Sequence, residues 1–258
     1  MEYSISKLKL FKACRRAYYF RYVEKLVPIH ESKALEIGSS YHELIEWLYN
    51  HGNLDGVAED GSTALAMAYA YQKYIYPKLS NVQTEVWFDK CYSGIKFHGR
   101  LDGMTEHGLV EHKTTAMDLD KYEYNLQWDE QLLLYMWLTG ARTVFYTIIR
   151  KPNIRRKKDE SDDAFFKRMV EWYDEETDSK IRLLKLTRAE GEIAEGMADL
   201  YRTAEAIEQA SGCYYKNTCY CDHWGGCEYA PICLNYVSNQ QYVGFIREED
   251  EDGTKESW

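Results

Sequence analysis

The residues with the clearest chemical content lie between Gly99 and Lys113. They read Gly99-Arg100-Leu101-Asp102-Gly103, then seven residues, then Glu111-His112-Lys113. In a strand, residues two apart share a face, so Glu111 and Lys113 point the same way. A short turn folds Asp102 back alongside them, and two carboxylates and an ammonium converge at one end of a sheet. Phosphodiester hydrolysis needs such a set. Hard oxygen ligands bind Mg²⁺ or Mn²⁺ and leave positions for water and phosphate. The metal lowers the pKa of a bound water and offsets charge on phosphorus. A lysine beside the attacking water orients it, helps deprotonate it, or stabilises the transition-state charge. Taken alone, the same triplet also fits a surface ion pair on a hairpin, worth little.

The flanking residues favour the chemical reading. Gly38-Ser-Ser-Tyr-His42 opens a helix upstream, and Gln131-Leu-Leu-Leu-Tyr135 lies on a helix downstream, its polar tips on one face. In order and spacing, these residues around D…E-x-K resemble the RecB-like branch of the PD-(D/E)XK nuclease superfamily. The resemblance implies that His42 is an additional metal ligand. It implies that Asp102 and Glu111 bind the metal, with the backbone carbonyl of His112 as a further ligand. Lys113 matches the catalytic lysine. Gln131 and Tyr135 match a helix motif that supports the site and contacts DNA. Glu85 sits where many members carry a strand acid. The chain departs from the superfamily pattern at Leu101, which replaces the motif proline as is common in this branch, and at His112, where an apolar or aromatic residue is more usual.

Five of the seven cysteines fall between positions 213 and 233. Cys221, Cys227 and Cys233 are separated by five residues each, and three thiolates need a fourth partner. Cys14, in Ser6…Phe11…Cys14-Arg15-Arg16…Tyr18, supplies the candidate. The pattern resembles the iron–sulfur members of the same nuclease branch, in which one N-terminal and three C-terminal cysteines hold a 4Fe–4S cluster. Four thiolates also make a structural Zn²⁺ site, which is the competing reading, and Cys219 is an alternative to Cys221. Either metal would staple the first helix to the C-terminal segment across about two hundred residues. Cys91 and Cys213 are read as unligated.

These side chains need elements to hold them. Residues 4–25 read as one basic helix, capped by Ser4 or Ser6, with Leu8, Phe11, Cys14 and Tyr18 on one face. A second helix is expected from about Gly38, a loop over 51–61, and a third helix over 63–76. The period then changes. Thr84–Phe88, Ile95–Leu101 and Leu109–Lys113 form an antiparallel meander, a helix follows over 129–138, and Val144–Arg150 is a fourth strand. The basic run 150–158 and the acidic DESDD after it read as loop. A long helix over 188–210 is expected to carry a capping box of Thr187 and Glu190 and a buried stripe of Ile193, Met197, Leu200, Ala204 and Ile207. The elements read as α/β (α+β), and the resemblance implies a restriction-endonuclease-like core, a central mixed β-sheet flanked by helices. Residues 1–246 are expected to form a single domain that includes the cysteine segment over 213–235, with 247–258 a mobile acidic tail.

Composition sets the remaining bounds. Lys and Arg number 32 against 42 Asp and Glu, a net charge of −10, which argues against a globally basic nucleic-acid coat protein. A local basic groove remains compatible, and residues 1–25 carry seven Lys and Arg against two Glu. Arg15, Arg16, Arg150, Lys151, Arg155 and Arg156 are the candidate DNA-backbone contacts. The first residues lack an apolar signal-peptide core, and no run is long enough to span a membrane, so a cytoplasmic location in a bacterial, archaeal or phage-infected cell is expected. No phosphate-binding loop of a motor protein is present, so DNA ends would have to arrive open. The 23 tyrosines suit stacking of unpaired bases.

The favoured reading is a Mg²⁺- or Mn²⁺-dependent DNA exonuclease acting on single-stranded or resected ends in recombination, repair or phage DNA metabolism. Its expected partners are a single-strand annealing protein or a helicase. By resemblance, the Trp-Gly-Gly-Cys227 step and the acidic tail lean towards the phage type. The alternatives are a CRISPR-adaptation nuclease working with an integrase, and a non-catalytic DNA-end or protein-binding module with a structural metal.

Overall fold

Short alternating runs separated by tight turns dictate the centre of the molecule. The computed structural model describes residues 2–30, 32–57, 61–79, 81–222, 226–234, 242 and 244–248. In chain order its elements are β1 (Glu2–Tyr3), α1 (Ile5–Ala13), α2 (Arg15–Tyr18), β2 (Leu26–Pro28), α3 (Lys33–His51), α4 (Thr63–Tyr74), β3 (Gln83–Tyr92), β4 (Ile95–Thr105), β5 (Gly108–Thr115), α5 (Leu119–Asn125), α6 (Glu130–Thr139), β6 (Thr143–Arg150), α7 (Asp162–Glu171), β7 (Ile181–Thr187), α8 (Glu190–Glu208), α9 (Ala230–Leu234) and β8 (Phe245–Arg247). The chain divides into two compact units. The first is drawn from Met1–Ser32, Asp89–His98 and Glu195–Trp258, the second from Lys33–Phe88 and Gly99–Ala194. Among the described residues, no helix is long and apolar enough to cross a membrane.

The second unit is built on β4, β5, β6 and β7, neighbours in that order, with β3 also paired to β4. β4 and β5 run antiparallel, β5 and β6 parallel, and β6 and β7 antiparallel, so the sheet is mixed. A parallel neighbour needs a crossover, and α5 and α6 supply it between β5 and β6. Asp129 caps α6 by accepting the Gln131 N–H, and Gly140 ends it in the left-handed conformation that glycine adopts without steric cost. Leu109, Val110, Glu111 and His112 are buried in succession, as expected of a strand covered on both faces. Tyr41, Ile45 and Leu48 of α3 and Met67, Ala68 and Tyr71 of α4 pack with Val110, Ile149 and Ile181 of the sheet. Burying each large side chain contributes about 1.5–3 kcal/mol, and this cluster fixes α3 against β5.

In the first unit, Ser4 caps α1 by accepting the Lys7 N–H at 3.4 Å. The helix expected over 4–25 is interrupted. Cys14 takes an extended conformation (φ −160°, ψ 113°), α2 restarts at Arg15, and residues 19–23 wind as a π-turn. The break places Cys14, Ala17 and Phe20 in one apolar cluster with Leu26, Tyr229 and Ile232. β1 lies parallel to the start of β4, and β2 pairs antiparallel with β8.

Other expectations shift. α3 begins five residues before Gly38. α4 ends at Tyr74, and a 3₁₀ turn follows over Tyr76–Lys78. The acidic block after the basic run is half helix, since Ser161 caps α7 by accepting the Ala164 N–H and Asp162 and Asp163 fill its first turn. Thr187 ends β7 instead of capping α8. The reciprocal bond runs from the Ala189 N–H to Glu192, 2.7 Å away, two residues further on. The stripe Ile193, Met197, Leu200, Ala204 and Ile207 is buried as its spacing requires. Residues 58–60 of the expected loop, Trp224, Gly225 and most of the acidic tail lie outside the described residues.

Candidate active site

The second unit brings together the residues singled out by spacing. β4 carries Asp102, β5 carries Glu111 and Lys113, α3 carries His42, and α6 carries Gln131 and Tyr135. One Asp102 oxygen lies 3.3 Å from His42 Nδ1, and the other accepts the His112 backbone N–H at 2.7 Å. Glu111 Oε1 lies 2.5 Å from Lys113 Nζ and accepts a hydrogen bond from Gln131 Nε2 at 3.0 Å. The same Gln131 nitrogen lies 3.2 Å from the Tyr135 hydroxyl. One amide on α6 therefore ties Glu111 to Tyr135. Gly99 makes room for this, because a Cβ there would stand 2.5 Å from the Tyr135 ring.

Electrostatics separates the two carboxylates. Burial penalises the charge on both. At Asp102, His42 and Lys113 outweigh burial and hold the carboxyl well below its usual range. At Glu111, burial wins with help from the Asp102 charge, and the carboxyl is pushed up despite Lys113. Burial also works against the Lys113 ammonium, but Glu111 and Asp102 hold it above its ordinary range. Lys113 is therefore a fixed positive charge at neutral pH. Burial likewise opposes a charge on His42, yet Asp102 raises it.

His112 points away from Glu111 and Lys113. Its ring packs edge-on against Tyr71 at 5.1 Å, and burial drives its pKa down to about 3, so it stays neutral. Neither ring nitrogen has a hydrogen-bond partner among the described residues. Glu85 pairs with Arg100 at 2.7 Å and is raised chiefly by burial, with Asp102 adding to the rise. Arg100, Glu46 on the next turn after His42, and Tyr122 of α5 were not singled out by sequence. Tyr122 lies in the field of Lys113 and Glu111, its hydroxyl 3.5 Å from that of Tyr146. The i, i+4 step from His42 was the one available signal for Glu46.

Among the described residues, no three His, Cys, Asp or Glu side chains already enclose an ion position. Each site carboxylate faces a basic side chain instead, Asp102 facing His42 and Glu111 facing Lys113. The donor set nevertheless fits a hard divalent cation: two carboxylates and one imidazole, with one carboxylate raised by the charge of the other.

Within the basic run, one side chain has an ion pair and another donates to a carbonyl. Arg156 pairs with Asp162, Lys151 Nζ donates to the Ala34 carbonyl at 2.9 Å, and the Arg155 carbonyl accepts from Arg168. Arg150 gives its carbonyl to the Tyr173 hydroxyl.

In the first unit, Cys14 is buried, Cys227 and Cys233 are half-buried, and Cys221 is exposed. Cys14 Sγ accepts the Asn217 N–H at 3.4 Å, and Cys221 Sγ lies 3.8 Å from the Asn217 carbonyl. Burial raises the thiols of Cys227 and Cys233, and both also feel Cys14 and Cys221. These four thiols thus share one neighbourhood, while Cys91, Cys213 and Cys219 are exposed. Among the described residues these thiols do not already enclose an ion position. Arg16 Nε donates to the Tyr214 carbonyl at 2.8 Å, and Arg15 stacks on Phe11 and Tyr215.

The sequence pattern of the PD-(D/E)XK nuclease superfamily matches residues 2–74, a stretch that contains His42 and ends before Asp102. Comparison with curated proteins gives no match. Among solved structures, a candidate exonuclease from Eubacterium rectale is similar with a TM-score of 0.56 at 15% identity, over 93% of this chain and 90% of that one. A phage-related exonuclease from Haemophilus somnus gives 0.41 at 11% identity, over 78% and 82%. An alkaline exonuclease from Laribacter hongkongensis gives 0.41 at 11% identity, over 81% and 88%. The central mixed sheet flanked by helices, together with the likeness to the Eubacterium rectale structure, is a mixed α/β arrangement consistent with a restriction-endonuclease-like PD-(D/E)XK fold.

Proposed function

We propose that this chain is a divalent-metal-dependent DNA exonuclease acting on single-stranded or resected ends in recombination, repair or phage DNA metabolism. The observation that carries the proposal is the convergence of Asp102, Glu111, Lys113 and His42, with Gln131 bracing Glu111 from α6. A surface ion pair would need neither the burial of Glu111 nor a second helix to hold it.

In this reading His42, Asp102, Glu111 and the His112 carbonyl would hold Mg²⁺ or Mn²⁺. The cation supplies Lewis-acid charge and a lowered pKa for the attacking water. Lys113 stays protonated beside Glu111, orients that water and offsets negative charge as the phosphorus becomes five-coordinate. Gln131 and the Tyr135 hydroxyl fix the rotamer of Glu111 and present polar edges to the strand. Arg15, Arg16, Arg150, Lys151, Arg155 and Arg156 are offered as backbone contacts. Cys14, Cys221, Cys227 and Cys233 are assigned to a 4Fe–4S cluster that fastens α1 to the segment around α9.

The test is cleavage of 5′-labelled and 3′-labelled single strands with Mn²⁺ by the anaerobically purified protein. Metal-dependent shortening is expected, the label lost first giving the polarity, and Asp102→Asn is expected to abolish it. A folded, metal-supplied protein that leaves single strands and duplexes intact would support the binding-module reading.

A further inference from the structure

The first unit contains a cavity of about 380 Å³ that the carboxylate site does not use. Its walls carry Lys12, Arg15, Arg202 and Lys216 together with the rings of Phe11 and Tyr215, and no Asp or Glu lines it. Four cations round one cavity are unusual on a chain of net charge −10. The Arg15 guanidinium lies 4.8 Å from the Phe11 ring centre and 4.7 Å from that of Tyr215, so it is held between two rings. A stacked guanidinium keeps its N–H edge available for phosphate oxygens. Tyr215 is 55% exposed, a large aromatic surface left to solvent beside that charge. Lys216 is steadied by a hydrogen bond from Nζ to the Cys233 carbonyl at 3.2 Å. Arg202 pairs with Asp199 at 2.9 Å on the exposed surface, a contact that a phosphate can replace at small cost.

Phosphate-sized positive charge next to an open aromatic face is the pairing that sequence-tolerant single-strand binding uses. The volume lies in the range of small-ligand pockets. We propose that this cavity is a nucleotide subsite for single-stranded nucleic acid. One base stacks on Tyr215, and the flanking phosphate is held by Arg15, Lys12, Lys216 and Arg202. The proposal rests on the nuclease reading for the identity of the strand, and on the cavity alone for the site. It gives the chain a hold on its substrate that is separate from the residues assigned to bond cleavage.

The test is fluorescence anisotropy with a labelled single-stranded oligonucleotide and the wild-type chain in buffer free of Mg²⁺ and Mn²⁺, run beside Tyr215→Ala and Lys12→Glu/Lys216→Glu. Tyr215→Ala is expected to weaken binding about tenfold, as for loss of one stacked base. The charge reversal is expected to lower the slope of log affinity against log salt by about 0.7 for each phosphate released. A strand carrying a photoreactive thymine analogue is expected to crosslink to the peptide containing Tyr215 in the wild type, a readout independent of any variant. Unchanged affinity, slope and crosslink position would overturn the subsite. So would a mononucleotide or inorganic phosphate competing as well as the oligonucleotide, because the site would then serve free phosphate. If the wild type cuts DNA while the cavity variants bind it normally, only this proposal falls. If it binds through the cavity without cutting, only the nuclease reading falls.

Discussion

Glu111 and Lys113 reach their positions through strand register, whereas Cys14, Cys221, Cys227 and Cys233 reach theirs through a chain with little regular structure. In the second unit, β5 is paired along its length with β6, in the register Glu111↔Tyr146 and Lys113↔Ile148. A slip of one residue would turn both side chains to the opposite face. The apolar cluster behind the sheet therefore also specifies the site. In the first unit, the described part of the cysteine segment has only a 3₁₀ turn at Thr218–Tyr220 and the five-residue α9. Its hydrogen bonds beside Cys14 run through Asn217, whose N–H meets Cys14 Sγ and whose side chain donates to the Ala13 carbonyl at 2.7 Å. Where a ladder supplies order, polar groups can be held before any ligand arrives. Where it does not, ligand bonds have to supply the order.

That contrast predicts unequal responses to single changes. The largest is expected at Cys14. Cys14→Ser should remove nearly all bound iron and sulfide, about four irons per chain in the wild type for a cuboidal cluster, and expose the first unit to proteolysis. Cys219→Ser should leave the metal count unchanged. Elemental analysis with limited trypsin digestion checks both, and zinc in place of iron would turn the assignment to a structural zinc site. In the second unit, Gln131→Leu should leave the fold intact but free Glu111. The expected result is a loss of about 10–100-fold in activity or in apparent Mn²⁺ affinity, the usual range for a partner that orients a ligand. Titrating Mn²⁺ against initial rate measures it, and an unchanged curve would mean that register alone holds Glu111.

The smallest effect is expected at the half-buried Glu160–Arg168 pair, which has good geometry but lies outside the apolar core. Two Arg168 nitrogens lie 2.8 Å from the Glu160 carboxylate, which is held down to about 2 by that contact and by the Lys157 N–H. A depressed carboxylate contributes stability above its ordinary value, near 4.5, and loses it as pH falls towards about 2. Glu160→Gln should therefore lower urea stability slightly at neutral pH, with the gap to wild type closing on acidification through that window.

How much of this was legible in the sequence follows the same division. The D…E-x-K spacing placed Asp102, Glu111 and Lys113 because strand alternation converts sequence distance directly into facing. The i, i+4 step placed Gln131 and Tyr135 on one helical face for the same reason. The stripe of α8 was legible from its period. The break at Cys14 was not. Leu8, Phe11, Cys14 and Tyr18 keep a helical period through it, and the reason to stop is the apolar cluster with Tyr229 and Ile232, more than two hundred residues away. β7 was missed because Ile181–Thr187 is interrupted by Arg182 and Lys185, and its strand character comes from pairing with β6. The DNA contacts assigned to 150–158 rested on charge alone, and local partners such as Asp162 for Arg156 are invisible to a count of charges.

The central claim is that Lys113 acts on the bond being broken. The most direct measurement is the rate of shortening of an end-labelled single strand at saturating Mn²⁺, for the wild type and Lys113→Ala, with urea stability recorded for both. The account predicts a fall of about 10²–10³-fold for the variant, with the variant still folded and still binding the strand. Equal rates, or no metal-dependent shortening by the wild type, would contradict it.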